Sequence, residues 1–571
     1  AFRLGRYTLH YHMIGNVRRS YVRGNSFHHS WNRGLALHGI NFLRVEGNVA
    51  YRVHGHSFFI EDGIEHGNIL DGNLGVRTLR ASSLLNTDMT PAVFWVTNPD
   101  NVVTNNAAVG SDNYGFWYRP EIAATGTSTH TPEVHPVHER MGRHAGNEAH
   151  SHGRYGLRVY PDYLPSAVAN FDGLRTWRNN VAGIAATSIS TLKFNRVVAA
   201  DNLQSGFESR VVRAAWGDAG VYDSLFIGRS ALPRSANETL ALTGNGVWTP
   251  YLAGLEVRDT TFVNFSATGR GAIEFCAHCG RGGSPSAENG GYETRTSGLA
   301  FVGCGGGARV RFRHRFEGIL HDLDGSLTGR GPGSYMVGAS ATMPPSHCAP
   351  APALARGGAV CSPGVVPRRV GIPPVEPQAT LGGVSGSIAS EAGVDALPYI
   401  FKGAELNKGY MFTAFAGYRY TFDLDQVDVD VAAMAVQVAD MADGEYLYLT
   451  QRFEEWLVAD IIGRPLYNTE VTTYLGSHDQ ATNITRVFGD DRVGAALVPK
   501  PDLPTGAYAF EADVDEVGGV HTLLVRACDD HDAVNVTQCD VEVGLRVRPC
   551  PKAGCWPPPP LVDQSGKEDF N

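Results

Sequence analysis

A short phrase recurs in the first hundred residues at an almost constant interval, and no other feature limits the fold of this chain as tightly. Val22-Arg-Gly-Asn25 returns 23 positions later as Val45-Glu-Gly-Asn48, and Leu70-Asp-Gly-Asn73 follows 25 after that. A period in the low twenties, ending on a small residue and an asparagine, is the mark of a solenoid built from β coils. A coil of a few short strands cannot bury an apolar face alone, so the next coil must lie on it. In-register stacking sets like over like, and an asparagine at a turn then bonds the asparagines above and below. The expected fold is all-β: a right-handed parallel β-helix over 1–345 with an insertion at about 120–165. A Pro/Gly-rich linker (346–386), a β-sandwich-like domain (387–550) and a Pro-rich tail (551–571) follow.

Composition agrees, because 67 Gly and 31 Pro in 571 residues favour turns and short strands over long helices. A net charge of −10 argues against nucleic acid or an anionic membrane surface as the main partner. No apolar run approaches the roughly 18 residues of a membrane-spanning helix, so no direct membrane insertion is expected of this segment. The chain opens in mid-pattern at Tyr7-Thr-Leu-His-Tyr-His12 without an initiating Met, and is read as a piece of a longer polypeptide. All nine cysteines lie beyond residue 275; Cys348/Cys361, Cys528/Cys539 and Cys550/Cys555 read as pairs, Cys276 and Cys279 as disulfide cysteines with Cys304 as a candidate partner, and the odd count leaves one thiol over. Candidate glycosylation sequons stand at Asn237, Asn264, Asn483 and Asn535. Paired cysteines and sequons together favour an oxidising, extracellular setting.

The repeat spacing widens to 32 between Asn73 and Asn105, which implies a loop insertion near Arg80 to Thr90. From Glu121 to Leu164 the pattern lapses, and six histidines (His130, His135, His138, His144, His150, His152) crowd the stretch. Without compact spacing such as H-E-x-x-H, a solvated insertion is favoured over a metal site there. Asp322 and Asp324 before Gly325 make calcium a candidate cofactor, but only the start of an EF-hand loop is matched, so a tight Asp-Gly turn is the expected role. Beyond 386, alternation such as Tyr418, Tyr420, Phe422 and Leu424 reads as sandwich strands.

The repeat also aligns polar side chains. Adding 23 to His38 gives Glu61, to Gly39 gives Asp62 and to Arg33 gives His56, and His12 lies 26 before His38. With coils about 4.8 Å apart, His12, His38 and Glu61 would form a ladder on one strand face, with His10, His56 and Asp62 nearby. A carboxylate beside imidazoles suits acid–base cleavage of a glycosidic bond, or a calcium-assisted elimination. On this reading Glu61 or Asp62 is the acid/base, His56 and His38 are its partners, and Arg33 clamps the carboxylate of an acidic sugar. The plainer alternative is that these groups bond one another inside the coil.

Gly55-His-Ser-Phe-Phe-Ile-Glu-Asp-Gly-Ile-Glu-His-Gly-Asn68 is distinctive, as are SYVRGNSFHHSWNRGLALHG (20–39), SSLLNTDMTPAVFWVTNPDN (82–101), GSDNYGFWYRPE (110–121) and HDLDGSLTG (321–329). Together they resemble the fibrocystin and fibrocystin-like family of large extracellular proteins, itself similar to the cell-migration-inducing and transmembrane hyaluronidases. The resemblance covers residues 5–119 and, locally, 317–329. It implies a right-handed β-helix, a cell- or cilium-surface location and further domains upstream, but leaves activity open, because the family holds both depolymerases and coat or receptor proteins. Three readings remain. The first is a rigid structural module whose partners are other segments or subunits of a surface coat or filament. The second is a depolymerase of a hyaluronan-like acidic polysaccharide. The third is a receptor module that stacks ligands on Trp31, Trp95, Phe116 and Trp117.

Overall fold

Each coil is three short strands joined by tight turns, and the turns fall where the sequence can take a positive φ. Between the second and third strands that residue is Gly24, Gly47, Gly72, Asn105 and Gly146 in successive coils, the glycine of the recurring phrase and its replacements. The computed structural model describes residues 7–82, 86–212, 217–230, 244–250, 255–266, 270–275, 293–313, 315, 318–372, 386–397 and 410–424. It also describes the backbone of strands at 432–442, 446–452, 457–465, 508–515, 518–526 and 538–549.

The coils stack into a right-handed parallel β-helix with three sheets. The first sheet runs from Leu9–Asn16 through Leu35–Asn41, Phe58–Ile60, Ala92–Val96, Tyr114–Tyr118 and Tyr155–Tyr163 to Ala355–Arg356. The second begins at Tyr21–Arg23 and the third at Ser26–His28, and every pairing within the coils is parallel. Inward side chains form columns of like residues, as with Phe58, Phe94 and Phe116, whose rings stack at 4.8 Å between centroids. A polar column runs beside them. The Oδ1 atoms of Asn48, Asn73, Asn106 and Asn147 accept from the backbone N–H and side-chain amide of Asn25, Asn48, Asn73 and Asn106 at 2.9–3.2 Å. Asn106 holds the rung and Asn105 the left-handed turn before it, so the ladder steps 33 residues here, not 32 to Asn105.

The stretch 120–165 is only partly an insertion. Arg143–Ala145, Glu148–His150 and Tyr155–Tyr163 form a regular coil, with Asn147 as its rung, and only the part before it loops out. Its six histidines do not converge: His144 and His152 are buried inside the coil, while His130, His135 and His138 each bond a backbone carbonyl. Nor is 346–386 a free linker. Cys348–Pro350 and Gly358–Cys361 pair antiparallel at the end of the second sheet, joined by the Cys348–Cys361 disulfide, and Pro367–Ile372 belongs to the next unit. Proline there marks edge strands and turns of a cap.

Beyond the cap lie a five-stranded and a six-stranded sheet, antiparallel except where Arg419–Leu424 pairs parallel with Tyr446–Arg452. The Arg368 Nη1 donates to Glu293 Oε2 at 3.1 Å, and Arg315 bonds Asp395 at 3.0 Å, tying the solenoid to this second unit. Cys276, Cys279, Cys528, Cys550, Cys555, Asn237, Asn483 and Asn535 lie outside the described residues, as does the Cys539 side chain. Cys304 is a free thiol, and Asn264 is exposed with its amide donating to the Arg229 carbonyl at 3.1 Å. Among the described residues no helix is long and apolar enough to cross a membrane.

Candidate functional site

The outward residues of the first sheet alternate with its core residues, because side chains on a strand point to opposite faces. Leu35 and Leu37 face the core, so His38 faces out; Phe58 and Ile60 face the core, so Glu61 faces out. Backbone pairing sets His12 against His38, and the Glu61 N–H bonds the Leu37 carbonyl at 3.0 Å in the next coil. These three side chains therefore share one column. A bulge follows His12, with Met13 at φ 53°, and the residue after His38 is Gly39 at φ 61°. A side chain at Gly39 would collide with Met13, and beyond this bulge the two strands pair again at Gly15 with Ile40 and Asn16 with Asn41.

His12 Nδ1 and His38 Nδ1 are 3.0 Å apart. His10 comes in from the same strand, its ring stacked on His38 at 5.7 Å, and its Nε2 lies 3.9 Å from Glu61 Oε2. Glu61 Oε2 is 3.6 Å from His38 Nδ1, is buried, and has no hydrogen-bond partner. On the far side, His38 Nε2 meets Asp62 Oδ2 at 2.8 Å and Thr127 Oγ1 at 2.9 Å. Asp62 Oδ2 also accepts from the Ser128 N–H, the Ser128 hydroxyl and the Thr127 hydroxyl at 3.1, 2.8 and 3.2 Å. Glu65 is folded under the turn and accepts the Gly39 and Gly63 N–H groups at 2.8 Å.

These surroundings separate the two carboxylates. Burial pushes Glu61 up, and the opposing charges of Arg33 and His38 do not bring it back. Burial would raise Asp62 too, but hydrogen bonds from His38 and Ser128 outweigh it and hold Asp62 down. Burial would lower His38, yet the Asp62 bond and the nearby Glu61 and Glu65 charges hold it above its usual value. Asp62 is thus held as an anion by the donors on its Oδ2 and orients His38, while Glu61 is the member of the pair poised to exchange a proton.

Arg33 and His56 stand one layer deeper and do not take the expected roles. Arg33 is 0% exposed; its Nε and Nη2 reach Asp88 at 3.2 and 3.4 Å, and its Nη1 donates to the Tyr7 hydroxyl at 2.8 Å. It touches Glu61 at 3.5 Å, so it positions that carboxylate and cannot clamp a sugar from solvent. His56 is fully buried and accepts the Ala92 N–H on Nδ1 at 3.0 Å; burial lowers it to about 3, which removes it as a proton-transfer partner. Asp88 comes from the loop inserted between coils, and Thr127 and Ser128 come from the loop before the 143–163 coil. No periodic signal marks them, since loops lie outside the repeat.

Two other expectations resolve here. Trp95, Phe116 and Trp117 are at most 4% exposed and pack within the sheet layers, so they offer no stacking platform; only Trp31 is open, lying over His54. Asp322 accepts the Gly325, Leu327 and Thr328 N–H groups and Asp324 those of Ser326 and Gly298, which makes Asp322-Leu-Asp-Gly325 a turn and uses the oxygens a calcium ion would need.

Residues 1–157 match the family model described as the CEMIP beta-helix. Over 63% of its length the chain is 33% identical to fibrocystin-L of Mus musculus, and over 61% it is 34% identical to fibrocystin-L of Homo sapiens. Over 27% of its length it is 33% identical to the human cell surface hyaluronidase CEMIP2. These alignments span 9%, 8% and 14% of the respective relatives, so the chain corresponds to a small part of their length.

Proposed function

The solenoid of this chain is of the fibrocystin-like, CEMIP-related kind, and from that premise we propose that it is part of a cell-surface protein whose histidine–carboxylate pocket cleaves an acidic polysaccharide of the hyaluronan class. One observation carries this reading: Glu61 Oε2 is buried and unbonded, aimed at imidazoles, beside the solvent-exposed His12. The neighbouring carboxylates differ, since Asp62 Oδ2 and both oxygens of Glu65 accept hydrogen bonds, and leaving Glu61 Oε2 without one costs about 1–3 kcal/mol. The similarity to a relative named as a cell surface hyaluronidase supports the substrate class.

The usual pair of free carboxylates is not available, since Asp62 Oδ2 is taken up by His38, Thr127 and Ser128. Glu61 supplies the proton to the departing glycosidic oxygen as the C–O bond breaks. Water adds to the anomeric carbon and releases its proton to solvent as it does so. High-molecular-mass hyaluronan incubated with the full chain, with and without calcium, should shorten, and Glu61→Gln should slow shortening about 100-fold or more. Unchanged polymer length with the wild-type chain would end this reading.

A stiff strut in a surface coat has its own support in the buried asparagine ladder, whose rungs lock coil to coil. Its partners would be other segments or subunits of that coat. Recovery of the chain as a repeating subunit of an isolated surface fibre would favour it.

A further inference from the structure

We propose that His10, His12 and His38 bind a first-row divalent cation of the zinc class, with the Glu61 carboxylate facing the coordination position they leave open. One ligand atom from each imidazole lies within 4.8 Å of the others, and the Nδ1 atoms of His12 and His38 stand 3.0 Å apart. A tetrahedral ion with bonds of about 2.0–2.1 Å sets its ligands about 3.4 Å apart. A small inward turn of the half-buried His10 ring therefore completes the set.

The cluster is also oriented from behind. Asp62 accepts the Nε2 proton of His38, which leaves the Nδ1 lone pair directed at the cluster, and Ser128 and Thr127 fix Asp62 in turn. A carboxylate behind a ligating histidine is how proteins hold such rings for a metal. Two ring nitrogens facing each other at 3.0 Å, with an unbonded carboxylate oxygen 3.6 Å from one of them, are readily satisfied by one shared cation. Three nitrogen donors select zinc, cobalt or nickel over calcium, which takes six to eight oxygens. His12 is exposed, so the ion enters from solvent. The inference shares its pocket with the polysaccharide reading, and rests on that reading only for what the ion would do there.

The test uses the full chain, stripped with chelator and titrated with cobalt(II) alone, then zinc(II), with no saccharide present. One equivalent of cobalt should bind with the intense visible bands of a four-coordinate site, and zinc but not calcium should displace it. His12→Ala, at an exposed position whose loss leaves the core intact, and His38→Ala should each remove the bands, while His130→Ala keeps them. Asp62→Asn should weaken binding by about 10–100-fold. Pale octahedral spectra, or equal cobalt affinity in wild type and a His12→Ala chain with unchanged circular dichroism, would overturn the proposal. Cobalt binding without hyaluronan cleavage supports it and removes the enzyme reading alone. Cleavage that persists in chelator, with no cobalt site, removes the metal alone.

Discussion

His152 sits where asparagine stands in the coils that follow. Its backbone N–H bonds Asn179 Oδ1 at 3.1 Å, and Asn179 repeats that contact to Asn202 at 3.2 Å. Its Nδ1 accepts the Ser111 N–H at 3.0 Å and its Nε2 meets the Ala108 carbonyl at 3.1 Å, so the ring is neutral with its proton on Nε2. Protonating Nδ1 would set two N–H groups against each other. Burial, helped by His150, lowers its pKa from 6.5 to about 3. An unfolded chain therefore binds a proton below about pH 6.5 that the folded one refuses, so this share of stability is whole above that pH and lost as pH falls toward 3. Asparagine can present Oδ1 to Ser111 as the histidine presents Nδ1. His152→Asn should shift the acid-unfolding midpoint, followed by circular dichroism, to lower pH; an unmoved midpoint would refute the argument. At this scale sequence reading is weakest for charge. Arg33 reads as a surface clamp because its partner Asp88 is 55 residues away in a loop outside the repeat.

The asparagine ladder is the element that turns a period into a structure. Asn73 is 1% exposed and bonded on both sides: it donates to Asn106 and to the Val45 carbonyl, and its Oδ1 accepts two bonds from Asn48. Asn73→Ala removes these and strands the Asn48 N–H, a buried loss of about 2–4 kcal/mol. Asn25→Ala, at an exposed end, should cost under about half of that, and urea unfolding of the two variants measures the difference. Equal costs would mean that the ladder does not carry load. The element was legible at Asn25, Asn48 and Asn73 because the Gly-Asn pair keeps its flanking Val or Leu. It faded at Asn147, where the flank is Arg143-His-Ala145 and histidines mask a regular coil. His12, His38 and Glu61 were legible as a column for the same reason: a fixed period converts sequence distance into height on the rod. Thr127 and Ser128 follow no period, so the support behind His38 was not.

At the scale of the molecule, a parallel rod of three sheets meets a largely antiparallel pair of sheets across the Glu293–Arg368 and Arg315–Asp395 contacts. The pocket lies at the opposite end, in the first three coils of the first sheet. The change from parallel to antiparallel was legible in strand alternation, whereas the antiparallel cap was hidden because its prolines read as linker. Everything said of the pocket depends on coils lying in register, one period apart. Arg23 and Glu46 are outward neighbours on adjacent coils, and Asp71 occupies the same place one coil further. The most direct test is cross-linking of Arg23→Cys/Glu46→Cys by a bimane that fluoresces only when both arms are alkylated. In-register stacking predicts a bright product for that pair, about 4.8 Å apart, and little for Arg23→Cys/Asp71→Cys at about twice the spacing. Equal yields, or a brighter distant pair, would contradict the stacking and the histidine–glutamate column with it.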